Sequence, residues 1–129
     1  MGAPWFPALN DAALESILER AAAAGARRAG YVLLRLPHEV KDLFRAWLAE
    51  HLPQRAAHVM SLVQSTHGGQ DNEAGFGRRM RGSGAWADLL RDRFHLACRR
   101  LGLNAGRQLE LNGKLFRPPA AGGQLQLEL

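Results

Sequence analysis

With 129 residues and a formal net charge of +5, the chain has room for one modest hydrophobic core, or for one domain with an extension, and no second independent domain is expected. It lacks a run of about 18 apolar residues and a basic-then-apolar N-terminus, so no membrane span or signal peptide is expected and a cytoplasmic location is predicted. Its one cysteine, Cys98, cannot form an internal disulfide.

The N-terminal residues predict a loop, a helix and a strand in that order. Residues 5–11 are expected to form a loop that ends in helix-capping chemistry at Asn10 and Asp11. The helix that follows should end at Gly25 in a left-handed turn. Its apolar stripe consists of Leu14, Ile17, Leu18 and Ala21.

Residues 31–34 are apolar without alternation, which is typical of a strand covered on both faces in a parallel sheet. A helix that leads into such a strand is the second half of a crossover unit. We therefore expect the first strand of the unit to lie before Met1.

Three further helices are predicted from apolar positions at helical spacing. They cover residues 40–48, 56–63 and 86–101. Pro53 should end the first of them, Gly68 and Gly69 the second, and Gly102 the third, with Ser83 as the cap of the last helix. Trp47 and Trp86 are in register with their helices and are expected in the core, whereas Trp5 and Phe6 could line a pocket.

Two segments do not fit helices. Residues 67–84 contain six glycines, which predicts a long loop. Residues 108–129 contain an Asn-Gly hairpin signal and an alternating apolar run, which predict a short β tail.

The glycine-rich loop carries Arg78, Arg79 and Arg81, whose guanidinium groups could bind phosphate together with backbone amides. From residue 78 to residue 107, eight arginines and two aspartates give a local net charge of +6, which suits a nucleic acid. The alternative is a solvated surface with internal salt bridges, such as Asp88 to Arg91. The loop matches no phosphate-binding signature, so both interpretations stay open.

No catalytic set and no metal site are predicted. The five histidines lack ligand spacing and have no second cysteine to join them. Cys98 lies at the apolar edge of a helix and is expected to pack rather than react. Arg35 is different, because it follows the buried strand at the end where parallel α/β folds place their ligands. For Arg35 we weigh a ligand-binding role against a structural one.

Several stretches together resemble the C-terminal part of radical S-adenosylmethionine proteins of the spore photoproduct lyase-like, or DNA repair photolyase-like, group. The stretches are FPALND (6–11), AGYVLLRLP (29–37), WL (47–48), RMRGSG (79–84), RF (93–94), LGL (101–103) and LFRPP (115–119). They span nearly the whole chain, and their order and spacing carry the resemblance. Ala8 departs from it, because the family's loop is expected to have glycine there.

The resemblance implies an α/β fold with two regions. Residues 1–37 would form the last helix and strand of a partial (β/α) radical-SAM-type barrel. Residues 38–129 would form a mainly helical C-terminal extension that includes the glycine- and arginine-rich loop and the β tail.

The resemblance also implies a lyase-like enzyme in which a [4Fe-4S] cluster, held by a C-x-x-x-C-x-x-C motif, reductively cleaves S-adenosylmethionine to a radical. The motif is absent and Cys98 alone cannot hold the cluster, so this chain by itself is expected to be inactive. Its expected partner is an N-terminal radical SAM part or another cluster-bearing chain. By position in the family, the residues near S-adenosylmethionine would be Gly30, Tyr31, Val32, Leu33 and Arg35.

Two other functions compete with this one. The first is a small basic nucleic-acid-binding module without catalysis. The second is a scaffold whose exposed barrel edge docks on another chain.

Overall fold

The computed structural model describes residues 4–69, 80–106 and 113–116. Helices dominate these ranges: α1 (Leu14–Ala23), α2 (Val40–His51), α3 (Pro53–Thr66) and α4 (Ala85–Arg100). A sheet of two short strands, β1 (Pro4–Trp5) and β2 (Val32–Leu33), lies among them. A 3-10 turn at Asp11–Ala13 leads into α1.

The two strands pair in parallel, with Pro4 opposite Val32 and Trp5 opposite Leu33. Because α1 joins them, the predicted crossover unit is present. The prediction that its first strand lies before Met1 was wrong, since β1 is that strand. Two residues are too few to show a strand pattern in the sequence, which is why residues 5–11 suggested only a loop.

The loop between β1 and α1 is held by the side chain of Asn10. Its Oδ1 accepts a hydrogen bond from the Phe6 amide at 2.7 Å, and its Nδ2 donates to the Pro4 carbonyl at 3.2 Å. The predicted capping role of Asn10 was therefore wrong, because its amide group bonds back to the loop instead of to the helix. In the same loop Ala8 has a φ of 58°, in the left-handed region that favours glycine.

Two hydrophobic clusters meet at β2. Leu33 packs in the first cluster with Leu14 and Phe94, between α1 and α4. Leu34 packs in the second with Leu48 and other residues of α2 and α3. Since neighbouring residues of an extended chain point to opposite sides, this confirms that the strand is covered on both faces.

The helical stripes are less buried than their spacing suggested. Ile17 is 47% exposed and Trp47 is 45% exposed, so the prediction that Trp47 lies in the core was wrong. Trp86 is partly buried against the first cluster. Trp5, for which a place in a pocket wall was one alternative, is only 3% exposed and belongs to that cluster. Burial depends on which face of each helix meets a neighbour, and spacing alone does not determine it.

The helix ends agree mostly with the sequence. α2 and α3 pack against each other as a helical hairpin, with Pro53 as the first residue of α3. The glycines at 25, 68, 69 and 102 all have positive φ, as expected for left-handed helix ends. The cap of α4 is Gly84 rather than Ser83.

The predicted β tail lies mostly outside the described residues. Within it, Gly113–Leu115 form a 3-10 turn. No helix in the described ranges has both the length and the apolar character needed to cross a membrane.

Candidate functional site

The segment from Met80 to Gly84 packs along β2 and the end of α3. The Leu33 amide donates a hydrogen bond to the Met80 carbonyl at 3.0 Å, and the Ser83 amide donates to the Thr66 carbonyl at 2.9 Å. At Gly82, where φ is +67°, a Cβ atom would lie 2.7 Å from Leu33 Cδ1. This close approach therefore requires glycine, and the two hydrogen bonds hold the backbone on either side of Arg81.

Arg81 lies beside an open cleft of about 250 Å³ between the start of β2 and α4. The cleft is lined by Ala29, Gly30, Tyr31, Arg81, Arg91, Phe94, His95 and Asn104. It thus brings together residues that the sequence analysis placed in two separate candidate sites, Gly30 and Tyr31 in one and Arg81 in the other.

Tyr31 forms the aromatic wall of the cleft. Its ring centroid lies 4.7 Å from that of Phe94, with the rings tilted by 52°, a favourable aromatic contact. Burial raises the pKa of the Tyr31 hydroxyl, the nearby charges of Arg91 and Arg81 oppose that rise, and Asp88 and Asp92 add to it. Both arginines therefore lie within electrostatic reach of this hydroxyl.

The two arginines of the cleft differ in their surroundings. Arg91 donates to Asp88 at 3.0 Å, and its Nε lies 3.7 Å from Asp92. The predicted Asp88–Arg91 salt bridge is thus confirmed. Arg81 is exposed and has no hydrogen-bond or ion-pair partner in the part of the chain that the structure describes.

Asn104 fixes the strand side of the cleft to the end of α4. Its side-chain Oδ1 accepts from the Ala29 amide at 2.9 Å, and its Nδ2 donates to the Ala29 carbonyl at 3.0 Å. Its own amide donates to the Arg27 carbonyl at 2.9 Å. The sequence does not reveal the role of this residue, because a contact across 75 positions of the chain leaves no local signal.

A second group of polar atoms is buried around the end of β2. His67 is 2% exposed and its Nε2 lies 3.1 Å from the Leu34 carbonyl, so this nitrogen carries the proton and donates. His67 Nδ1, Arg35 Nε and Trp5 Nε1 are buried and have no hydrogen-bond partner among the described residues. Arg35 had been singled out from the sequence, whereas His67 had not.

The residues predicted to lie near S-adenosylmethionine occupy different surroundings. Gly30 and Tyr31 line the cleft, Val32 and Arg35 are partly buried, and Leu33 lies in the core. Their role toward the cofactor stays a prediction. Arg78 and Arg79, the other predicted phosphate-binding residues, lie outside the described residues.

Cys98 is a buried thiol, as predicted, and packs in the first cluster. Burial raises its pKa, and Asn104 Nδ2 lies 3.7 Å from its Sγ. Within the described ranges, no group of three or more His, Cys, Asp or Glu residues could hold a metal ion. These residues therefore do not fit a [4Fe-4S] cluster.

Comparison of the chain with protein-family models, with curated protein sequences and with solved structures gives no match.

Proposed function

We propose that this chain is the C-terminal part of a lyase-like radical S-adenosylmethionine enzyme of the spore photoproduct lyase-like group. The observation that carries the proposal is the parallel β1–α1–β2 unit followed directly by α2, α3 and α4. The resemblance implies the last helix and strand of a barrel with a helical extension beside them, and α1, β2 and the later helices are consistent with that order. The resemblance itself depends on the seven matching stretches.

In this proposal the chain supplies structure, and another part or another chain supplies the radical chemistry. The described residues do not fit the cluster, so no step through it is assigned to them. A cofactor could reach the chain just before β2, at Gly30 and Tyr31, because both residues line the open cleft. Further along, the amides of Leu33 and Leu34 already donate to the Met80 and Trp5 carbonyls, so they are not free for a cofactor.

The test is to isolate the protein from its source cells without oxygen, using an antibody against residues 78–86. We expect a species heavier than 14.2 kDa, or a second chain that co-purifies. It should contain iron and sulfide and should cleave S-adenosylmethionine when a reductant is added. Recovery of the 14.2 kDa chain alone, free of iron, would refute the proposal.

A basic nucleic-acid-binding module without catalysis is the second candidate. It is favoured by Arg81, which lies beside Arg91 in the cleft and has no ion-pair partner among the described residues. Binding of single-stranded or duplex DNA that weakens steeply with salt would support this candidate. Absent or salt-independent binding would contradict it.

A further inference from the structure

We propose that the cleft between β2 and α4 binds the phosphate group of an organic phosphate, such as a nucleotide or a nucleic-acid strand, through Arg81 and Arg91. The inference does not rest on the radical-enzyme proposal, since it needs neither a cluster nor S-adenosylmethionine. It deepens the nucleic-acid candidate, because it assigns a specific site to the phosphate.

The charge of Arg81 is the first argument. Arg81 has no acidic partner among the described residues, although it lines a concave surface next to a second arginine. A guanidinium in that position can donate two parallel hydrogen bonds to a phosphate, which it does more strongly than to neutral acceptors.

The orientation of Arg91 is the second argument. Asp88 contacts its Nη1 and Asp92 lies near its Nε, so no described acidic residue contacts its Nη2. The two aspartates are largely exposed and lie on the same helix as Arg91. They hold the guanidinium in place but reduce its net charge, which leaves Arg81 as the main source of attraction for an anion.

The third argument is the shape of the cleft and its aromatic wall. About 250 Å³ is enough for one phosphate with part of the attached group, but it is below the usual size of a site for a large ligand. Tyr31 presents a ring packed on Phe94 and a hydroxyl without a hydrogen-bond partner among the described residues. The hydroxyl can donate to a phosphate oxygen, and the ring can contact a base or a sugar.

The rigidity of the cleft is the fourth argument. Backbone hydrogen bonds at Met80 and Ser83 hold the chain on either side of Arg81, and the double hydrogen bond of Asn104 holds the backbone before Gly30. A preorganised site loses less conformational entropy when a ligand binds.

The experiment is calorimetric titration of the full chain at low ionic strength with adenosine monophosphate and with adenosine, which lacks the phosphate. We expect the monophosphate to bind and adenosine not to bind. Arg81→Ala should weaken the binding of the monophosphate by about tenfold or more, because one charge-assisted contact is lost. Arg55→Ala is the matched control, since Arg55 is exposed near the start of α3, a helix that contributes no residue to the lining of the cleft. It removes the same charge and should change the affinity by less than about twofold.

A single-stranded oligonucleotide distinguishes the two sources of phosphate. Tighter binding than the monophosphate, with the same dependence on Arg81, would identify nucleic acid as the source. Equal or weaker binding would identify the free nucleotide. The proposal is overturned if neither ligand binds, or if Arg55→Ala weakens binding as much as Arg81→Ala does. Circular dichroism spectra that match the parent protein establish that both variants fold.

Discussion

The close approach at Gly82 makes a sharp prediction about stability. In Gly82→Ala the new Cβ would lie 2.7 Å from Leu33 Cδ1, 3.1 Å from Thr66 Cβ and 3.1 Å from the Thr66 carbonyl oxygen, at a φ of +67°. The left-handed backbone costs about 1 kcal/mol for a residue other than glycine. Overpacking against Leu33 and the α3 backbone adds about 1–3 kcal/mol. We therefore expect a loss of about 2–4 kcal/mol in the free energy of unfolding.

Gly102→Ala is the matched control for this prediction. Gly102 has a φ of +68°, and a Cβ there would meet nothing within 4 Å. It should lose only the backbone contribution of about 1 kcal/mol. The measurement is urea unfolding of both variants and the parent protein, followed by circular dichroism. If the two variants lose the same free energy within about 0.5 kcal/mol, the contact of Gly82 with Leu33 and Thr66 does not exist as described.

Three further predictions concern single sites. Ala8→Gly should stabilise the protein by about 0.5 kcal/mol, since relief of the left-handed backbone outweighs the added freedom of the unfolded chain; a lower melting temperature would contradict this.

Glu15→Gln should cost about 0.5 kcal/mol at neutral pH, because Arg93 donates to both oxygens of the partly exposed Glu15. Hydrogen bonding to Arg93 lowers the pKa of Glu15. The stabilisation is therefore complete above the ordinary glutamate value of about 4.3 and is lost as the pH falls through the lowered value. Unfolding curves at about pH 7 and pH 3 measure this, and an equal difference at both would contradict it.

Cys98 should react with an aromatic disulfide reagent at least roughly tenfold more slowly in the native protein than in urea, because burial raises its pKa and blocks access. Equal rates would mean that the thiol is not buried.

The sequence by itself determined the local features that depend on neighbouring residues. The four helices follow from their apolar spacing. The ends of α1, α3 and α4 follow from glycines that adopt left-handed backbone, as at Gly25 and Gly102, and the end of α2 follows from Pro53. The burial of β2 on both faces follows from its unbroken apolar run. The Asp88–Arg91 pair was predictable for the same reason, because residues three apart on a helix are neighbours.

Only the tertiary structure decided which distant residues meet. β1 is two residues long and exists because β2 offers it hydrogen-bonding partners, so no pattern in the sequence could reveal it. The cleft unites Tyr31, Arg81 and Arg91, which lie far apart along the chain, and it depends on the missing Cβ of Gly82 and on the contact of Asn104 with Ala29. Hydrophobic spacing identifies the apolar face of a helix, but it does not say which element packs against that face. The sequence therefore could not show that Trp47 lies at the surface while Trp5 lies in the core.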